Sequence, residues 1–310
     1  MQGRDFLLLK DFSKTDLEKI LNFATELKKK QKANESHRLL EDKSIGLYFE
    51  KTSTRTRISF EVGVYQLGAQ PLFLSAGTTQ LGAGLENLKD SALVMSRYLD
   101  LFMARVFKHE ALEEFVKYAT IPVINGLSDL SHPCQIMADF LTIQEQKEQL
   151  EGLKLAYVGD GNNVCNSLLL GCPIVGVDIT VGTPKEYKPP EKVVSWAKEL
   201  AEKSGTSINL IMSAQEAVKD ADVVYTDTWI SMGQEEEAKF RKKVFPPFQV
   251  NKKLLSHAKK DAIFLHCLPA HWGYEVTEEV LHGPQSAVFD EAENRLHAQK
   301  AIMVALLKGI

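Results

Sequence analysis

The chain has 310 residues, 44% hydrophobic and 25% charged, with a formal net charge of −4 at pH 7. That length is too great for one small core and predicts two domains, with the composition of an ordinary globular protein. The slightly acidic balance argues against a nucleic-acid partner, so any anion site has to be local. The longest apolar runs are too short for a membrane span, and Phe6-Leu7-Leu8-Leu9 is too short for a secretory signal.

After Ser13, a candidate cap, Leu17, Ile20, Leu21, Ala24 and Leu27 fall on one face of a predicted helix. Residues 28–43 are polar and read as a surface connection without chemistry. Ile45 to Phe49 is a short apolar strand, and Phe60, Val64 and Leu67 recur at helical spacing. Ser53-Thr54-Arg55-Thr56-Arg57 between them is thus a strand-to-helix turn, with Ser53 as the expected N-cap. Three hydroxyls and two guanidinium groups at the positive end of a helix make a site for phosphate or another compact dianion.

Pro71 to Leu74 reads as a second strand, followed by a Gly- and Thr-rich loop from Ser75 to Gly84 that carries Gln80. Leu101 to Val106 is an apolar strand with Arg105 near its end, and Ile121 to Asn125 is another. A loop then leads to His132-Pro133-Cys134-Gln135 and a helix marked by Ile136, Phe140 and Ile143, ending near Leu150. Strands alternating with helices predict an α/β fold of two domains, each a parallel sheet flanked by helices, with ligands at the carboxyl ends of strands. The boundary is expected at 150, giving domains 1–150 and 151–290.

In the second domain, Leu155 to Val158 is a strand and Gly159-Asp160-Gly161-Asn162-Asn163 the turn into a helix starting near Val164. The turn is close to a dinucleotide fingerprint. However, the third glycine position is Val164, and the next strand runs into Gly182-Thr183-Pro184 without a ribose-binding acid. No nicotinamide or flavin cofactor is expected. Pro173 should kink or shorten that helix. Asp222 to Asp227 is a strand ending in an acid, followed by Ser231-Met232-Gly233 and a charged run from Gln234 to Lys243 that reads as a solvated helix or mobile loop. Ala262 to Pro269 is the last strand, expected to be buried, and a final helix spans about Glu291 to Leu307.

His266 and Cys267, as strand neighbours, are expected on opposite faces and so form no catalytic dyad. Cys134, Cys165, Cys172 and Cys267 contain no Cys-x-x-Cys pair. With no metal-protease helix or carboxylate cluster either, no metal is expected, and a reduced, cytoplasmic enzyme fits best. Ser53, Thr54, Arg55, Thr56, Arg105, His132 and Gln135 form a cationic and neutral donor set suited to charge developing on a phosphate and a carbonyl oxygen. Asn163, Asp227 and Ser231 suit an amino-acid zwitterion. A cleft between the two sets would place a phosphorylated acyl donor beside an amine.

Ser-Thr-Arg-Thr-Arg at 53–57, His-Pro-Cys-Gln at 132–135, Gly-Asp-Gly-Asn-Asn at 159–163, Asp227 with Ser231-Met232-Gly233, and His-Cys-Leu-Pro at 266–269 together resemble the ornithine carbamoyltransferases, in the same order over nearly the whole chain. The resemblance implies carbamoyl phosphate on the first domain, L-ornithine on the second, a last helix (291–310) packed back on the first, and a homotrimer or multiple of trimers. It implies that Ser53, Thr54, Arg55, Thr56 and Arg105 hold phosphate, and that Arg105, Thr56 and His132 polarise the carbamoyl oxygen. Gln135 and the carbonyls of Cys267 and Leu268 would hold the carbamoyl amide. Gln80 would serve a neighbouring subunit's site, and Arg295 is a further active-site arginine. Asn163, Asp227, Ser231 and Met232 would fix ornithine, with Asp227 and Cys267 near its reacting amine. The chemistry implied is direct attack without a covalent enzyme intermediate, with the Ser231-Met232-Gly233 loop as a lid.

Two details bear on sister enzymes. Aspartate carbamoyltransferases carry a lysine that falls at about Gly84 here and lack Ser-Met-Gly and His-Cys-Leu-Pro. N-acetylornithine and putrescine enzymes differ around Ser231-Met232-Gly233, so ornithine is the expected acceptor. The family's common Glu-Ser reads Glu86-Asn87 in this chain.

Overall fold

Helix α1 (Lys14–Lys32) starts on a capping box: Ser13 accepts from the Asp16 N–H while Asp16 accepts from the Ser13 N–H. The computed structural model describes residues 1–81, 86–230 and 235–310. They form two units, one of Met1–Leu141 with Glu293–Ile310 and the other of Thr142–Ala292.

The first unit holds β1 (Ser44–Phe49), α2 (Arg55–Gln66), β2 (Gln70–Ser75), α3 (Leu88–Tyr98), β3 (Leu101–Arg105), α4 (His109–Val116), β4 (Val123–Leu127) and the start of α5 (Pro133–Lys147). Its parallel sheet has the order β2-β1-β3-β4. Strands β1 and β3 are apolar along their length because both faces are covered, whereas edge strand β2 leaves Leu72 and Phe73 exposed. The connection from β1 runs to one side of the sheet, and the later strands lie on the other. The β1/β3 pair is therefore the switch point at which α/β sheets open a crevice. Phe49 pairs in register with Arg105, so the chain leaving β1 toward Ser53 emerges beside Arg105.

The second unit continues with β5 (Lys154–Val158), α6 (Asn163–Ile174), β6 (Asp178–Gly182), α7 (Glu191–Ser204), β7 (Ile208–Ile211), α8 (Ala214–Val218), β8 (Val223–Thr226), α9 (Ala238–Val244), α10 (Lys252–Leu255), β9 (Ile263–Leu265) and α11 (Glu278–Leu281). Its parallel sheet has the order β7-β6-β5-β8-β9, with the switch point at β5/β8, where Val158 pairs with Thr226. The Gly159–Asn163 turn and Asp227 leave from that point. A Cβ on Gly161 would stand 2.6 Å from the Tyr187 carbonyl that its own N–H already meets at 2.8 Å, so a side chain has no room there.

The last helix, α12 (Val288–Lys308), starts three residues before the sequence expectation, and from Glu293 onward it belongs to the first unit. Pro173 is the penultimate residue of α6, so the helix stops beside it, as the shortening alternative expected. The 28–43 stretch is not merely a surface connection. Lys28, His37 and Leu40 are buried, and Lys300 of α12 donates to Gln31 Oε1 (2.8 Å) and Gln66 Oε1 (2.9 Å) and meets His37 Nε2 at 3.1 Å. Polar side chains face inward here because a buried ammonium collects them.

Candidate active site

In the first unit, α2 begins one residue later than expected. Thr54, in helical conformation (φ −80°, ψ −58°), takes the N-cap position in place of Ser53 and makes no side-chain capping bond. A first turn left open in this way is suited to an anion. Ser53 and Arg55 are half-buried and Thr54 is exposed. Thr56, one residue into the helix, is buried, and its Oγ1 accepts from Arg105 Nη1 at 3.2 Å and from Arg295 Nη2 at 3.0 Å. Arg295 Nη1 also donates to Gln135 Oε1 at 2.6 Å, and Gln135 Nε2 donates to Asp139 Oδ1 at 2.7 Å. Three distant stretches thus converge on one hydroxyl and one amide.

His132 is buried beside this network. Burial, then Arg295, Arg105, Arg55 and Lys51 in turn, hold its imidazole well below the usual histidine range. It is therefore neutral at neutral pH and able to donate a single N–H. Four cationic side chains thus act on this one imidazole. Lys51 was not among the residues expected here. Burial first, and then Arg105, push its ammonium down, and its Nζ stands 4.7 Å from the Phe107 ring centre. Its signal in the sequence was adjacency to the Ser53 turn. Gln80 is exposed, in the turn beyond edge strand β2.

In the second unit, Asp227 is buried at the end of β8. Its Oδ1 accepts from the Thr228 N–H (2.8 Å) and the Cys267 thiol (3.1 Å), and its Oδ2 accepts from Asn162 Nδ2 at 2.7 Å. Asn162, which was not among the residues expected here, makes that last contact. It also caps α6 by accepting from the Val164 and Cys165 N–H groups, while Asn163 opens the helix and is half-buried.

The expectation that His266 and Cys267 face opposite ways is corrected. Strand β9 stops at Leu265, so alternation no longer governs the next two residues, and ligating atoms of Asp227, His266 and Cys267 lie within 4.8 Å of one another. Cys267 and Asp227 share a hydrogen bond, while His266 is held by neighbours outside the trio. His266 Nδ1 accepts from the Leu268 N–H at 2.9 Å, its Nε2 lies 3.4 Å from Glu275, and its backbone N–H donates to Glu291. Leu268 sits at φ +57°, a left-handed backbone that costs about 1 kcal/mol. Ser231 and Met232 lie outside the described residues.

The described part of the charged run, from Glu236 to Lys243, also differs from a simple solvated face. Arg241 of α9 is buried, donating to Asp160 Oδ2 and the Trp229 carbonyl, both at 2.8 Å, with its guanidinium 4.4 Å from the Tyr187 ring centre. Burial pushes the Asp160 carboxyl up to about 6 despite Arg241, and Asp227 adds to the rise. The two sets are complementary in charge: the first-unit cradle is cationic, and the second-unit set is built on the carboxylates of Asp160 and Asp227.

Residues 4–145 match the description "Aspartate/ornithine carbamoyltransferase, carbamoyl-P binding domain", and residues 151–306 match its "Asp/Orn binding domain". The chain belongs to the aspartate/ornithine carbamoyltransferase family. Among relatives of this carbamoyltransferase chain, one from Thermococcus kodakarensis named ornithine carbamoyltransferase is 55% identical, covering 100% of this chain and 98% of its own. One from Pyrococcus furiosus, named as the anabolic ornithine carbamoyltransferase, is 53% identical with the same coverage. The solved structure of ornithine carbamoyltransferase from Pyrococcus furiosus superimposes with a TM-score of 0.96 at 53% identity, over 100% of this chain and 98% of that one. A Giardia lamblia ornithine transcarbamoylase structure still reaches 0.89 at 33% identity, covering all of both chains.

Proposed function

We propose that this protein transfers the carbamoyl group of carbamoyl phosphate to the δ-amine of L-ornithine, giving L-citrulline and phosphate. The observation that carries the reading is full-length identity of 53–55% to relatives bearing that name. The charge of the two residue sets agrees with it. Ser53, Thr54, Arg55, Thr56 and Arg105 take the phosphate of the donor, at an open helix start lined with guanidinium groups. Arg105, Thr56 and neutral His132 polarise the carbamoyl oxygen and stabilise the oxyanion as the tetrahedral intermediate forms. Gln135, whose side-chain amide carries both an acceptor and a donor, takes the carbamoyl amide. Asn163, Asp227, Ser231 and Met232 hold ornithine.

The attacking amine has to be neutral. With an ordinary amine pKa of about 10.4, deprotonation at pH 7 costs roughly 4 to 5 kcal/mol. Removal from water lowers that cost, and Asp227 with Cys267 orients the amine. The amine lone pair forms the new C–N bond, the C–O bond to phosphate breaks, and the departing phosphate takes the surplus proton. No cofactor enters the scheme.

A homotrimer or multiple of trimers is part of the proposal. Ile58, Val62 and Tyr65 on α2 and Leu72 and Phe73 on edge strand β2 are exposed large apolar side chains of the same unit, an arrangement that favours burial against another copy. Sedimentation equilibrium should give three times the chain mass or a multiple of it. A cytoplasmic place in arginine synthesis is also part of the proposal, supported by the four free cysteines and by the anabolic name of the Pyrococcus furiosus relative. The deciding assay is product formation from carbamoyl phosphate with ornithine, N-acetylornithine, putrescine or aspartate. Turnover with ornithine is expected, and preference for another amine would overturn the assignment.

A further inference from the structure

We propose that Asp139 is a positioning residue for this reaction: an acceptor-only anchor that dictates which end of the Gln135 amide faces Arg295. The proposal rests on the functional reading above. Asp139 is fully buried on α5, one helical turn after Gln135. Hydrogen bonds run from Asp139 Oδ1 to Gln135 Nε2 (2.7 Å), from Gln135 Oε1 to Arg295 Nη1 (2.6 Å), and from Arg295 Nη2 to Thr56 Oγ1 (3.0 Å), where Arg105 also arrives (3.2 Å).

The two ends of a glutamine amide have nearly the same shape, so only its partners decide which way it points. A carboxylate can only accept and a guanidinium can only donate. Between Asp139 and Arg295, the Gln135 amide therefore has one orientation that satisfies both neighbours. Turned over, it would set acceptor against acceptor and donor against donor in a buried site. Gln299, four residues after Arg295, supports the same guanidinium. In the amide orientation its neighbours dictate, its oxygen accepts from Arg295 Nε at 3.2 Å and its nitrogen donates to Ser59 at 2.7 Å. Arg295 is thus aimed by two amides, and Asp139 sets the sense of one of them. Thr56 and Arg105 inherit that aim.

Asp139→Asn is the test, because asparagine keeps the size and can present either an oxygen or an NH2 to Gln135. Binding of inorganic phosphate should weaken, and kcat/KM for carbamoyl phosphate should fall, by about tenfold, the scale of one buried hydrogen bond. KM for ornithine should stay within about twofold. In a Gln135→Ala background, Asp139→Asn should add nothing, since the residue through which it acts is gone. Equal losses in both backgrounds would overturn the proposal, as would a fall in thermal midpoint with phosphate affinity unchanged.

If Asp139→Asn alone does not fold, the exchanged pair Gln135→Glu with Asp139→Asn carries the test. It keeps one carboxylate and one amide in the chain, with an acceptor facing Arg295. Phosphate affinity within about threefold of wild type is then expected, and a loss as large as that of Gln135→Ala would refute it. Wild-type protein that turns over no ornithine would overturn the assigned reaction and leave the phosphate arm readable. An active wild type whose phosphate binding ignores Asp139→Asn would overturn the positioning role alone.

Discussion

Replacing Arg241 with methionine removes a buried cation while keeping an apolar stem of similar length. The side chain donates to Asp160 Oδ2 and the Trp229 carbonyl at 2.8 Å each, and its third bond goes to Glu237 at 3.0 Å, whose side chain is 58% exposed. The exposed pair contributes little. Breaking the buried one leaves an uncompensated carboxylate, a loss of about 3 to 5 kcal/mol at pH 8.

The loss should depend on pH in one direction. Asp160 in the wild type already titrates at about 6, above its ordinary 3.8, because of burial. Without Arg241 its pKa rises further. From about pH 6 upward the folded variant then holds a proton that the folded wild type has released. The cost of the substitution therefore grows with pH across that window, by up to about 1.4 kcal/mol per unit. Near pH 5 both proteins carry a neutral Asp160, and only the bond to the Trp229 carbonyl and the ring contacts are lost, about 2 kcal/mol.

Urea unfolding followed by tryptophan fluorescence at pH 5, 6.5 and 8 measures the difference. Trp229 is buried and stacked 5.5 Å from Phe245, so it reports on this unit. Adding Asp160→Asn to Arg241→Met should abolish the pH dependence. An equal loss at pH 5 and pH 8, or a larger one at pH 5, would refute the reasoning. Because Trp229 lies two residues past Asp227, KM for ornithine should rise in the same variant.

Thiol reagents should modify Cys267 first, since it is half-buried while Cys134, Cys165 and Cys172 are fully buried. Burial also pushes Cys134 up to about 12 and Cys165 well above the usual thiol range, so mass spectrometry showing early label at either would contradict this. Arg105→Lys keeps the charge but loses the planar fork on Thr56, and kcat/KM for carbamoyl phosphate should fall about 100-fold or more; a change under threefold would remove Arg105 from the mechanism. Burial lowers Lys300 to about 8 from 10.5, so between those values the unfolded chain binds more protons and stability rises with pH. Relative to Lys300→Met, the wild type should gain stability from pH 8 to 10.5, and parallel stability curves would show that the ammonium pays no burial cost.

Chain-local chemistry was legible wherever one element carried the signal. The Ser13 capping box, the apolar runs of β1 and β3, the acid ending β8 and the helix start after Ser53 all follow from neighbours within a few residues. The order of strands and helices was enough to expect two parallel sheets with chemistry at their carboxyl ends, and the joint motifs were enough to name a family. Local rules failed where an element ended early. Alternation placed His266 and Cys267 apart only because the strand was taken to run through them, and β9 stops at Leu265.

What the sequence by itself determined, then, is the set of donors and acids and the sheets that carry them. Which side chains share a hydrogen bond was decided only by tertiary structure. Arg295 meets Gln135 160 positions away and Thr56 239 away, Arg241 reaches back 81 residues to Asp160, and Asn162 reaches 65 residues forward to Asp227. No periodicity encodes such pairs. Desolvation makes each buried polar atom seek whichever partner the packed chain brings within 3 Å, and that choice exists only after the strands have aligned.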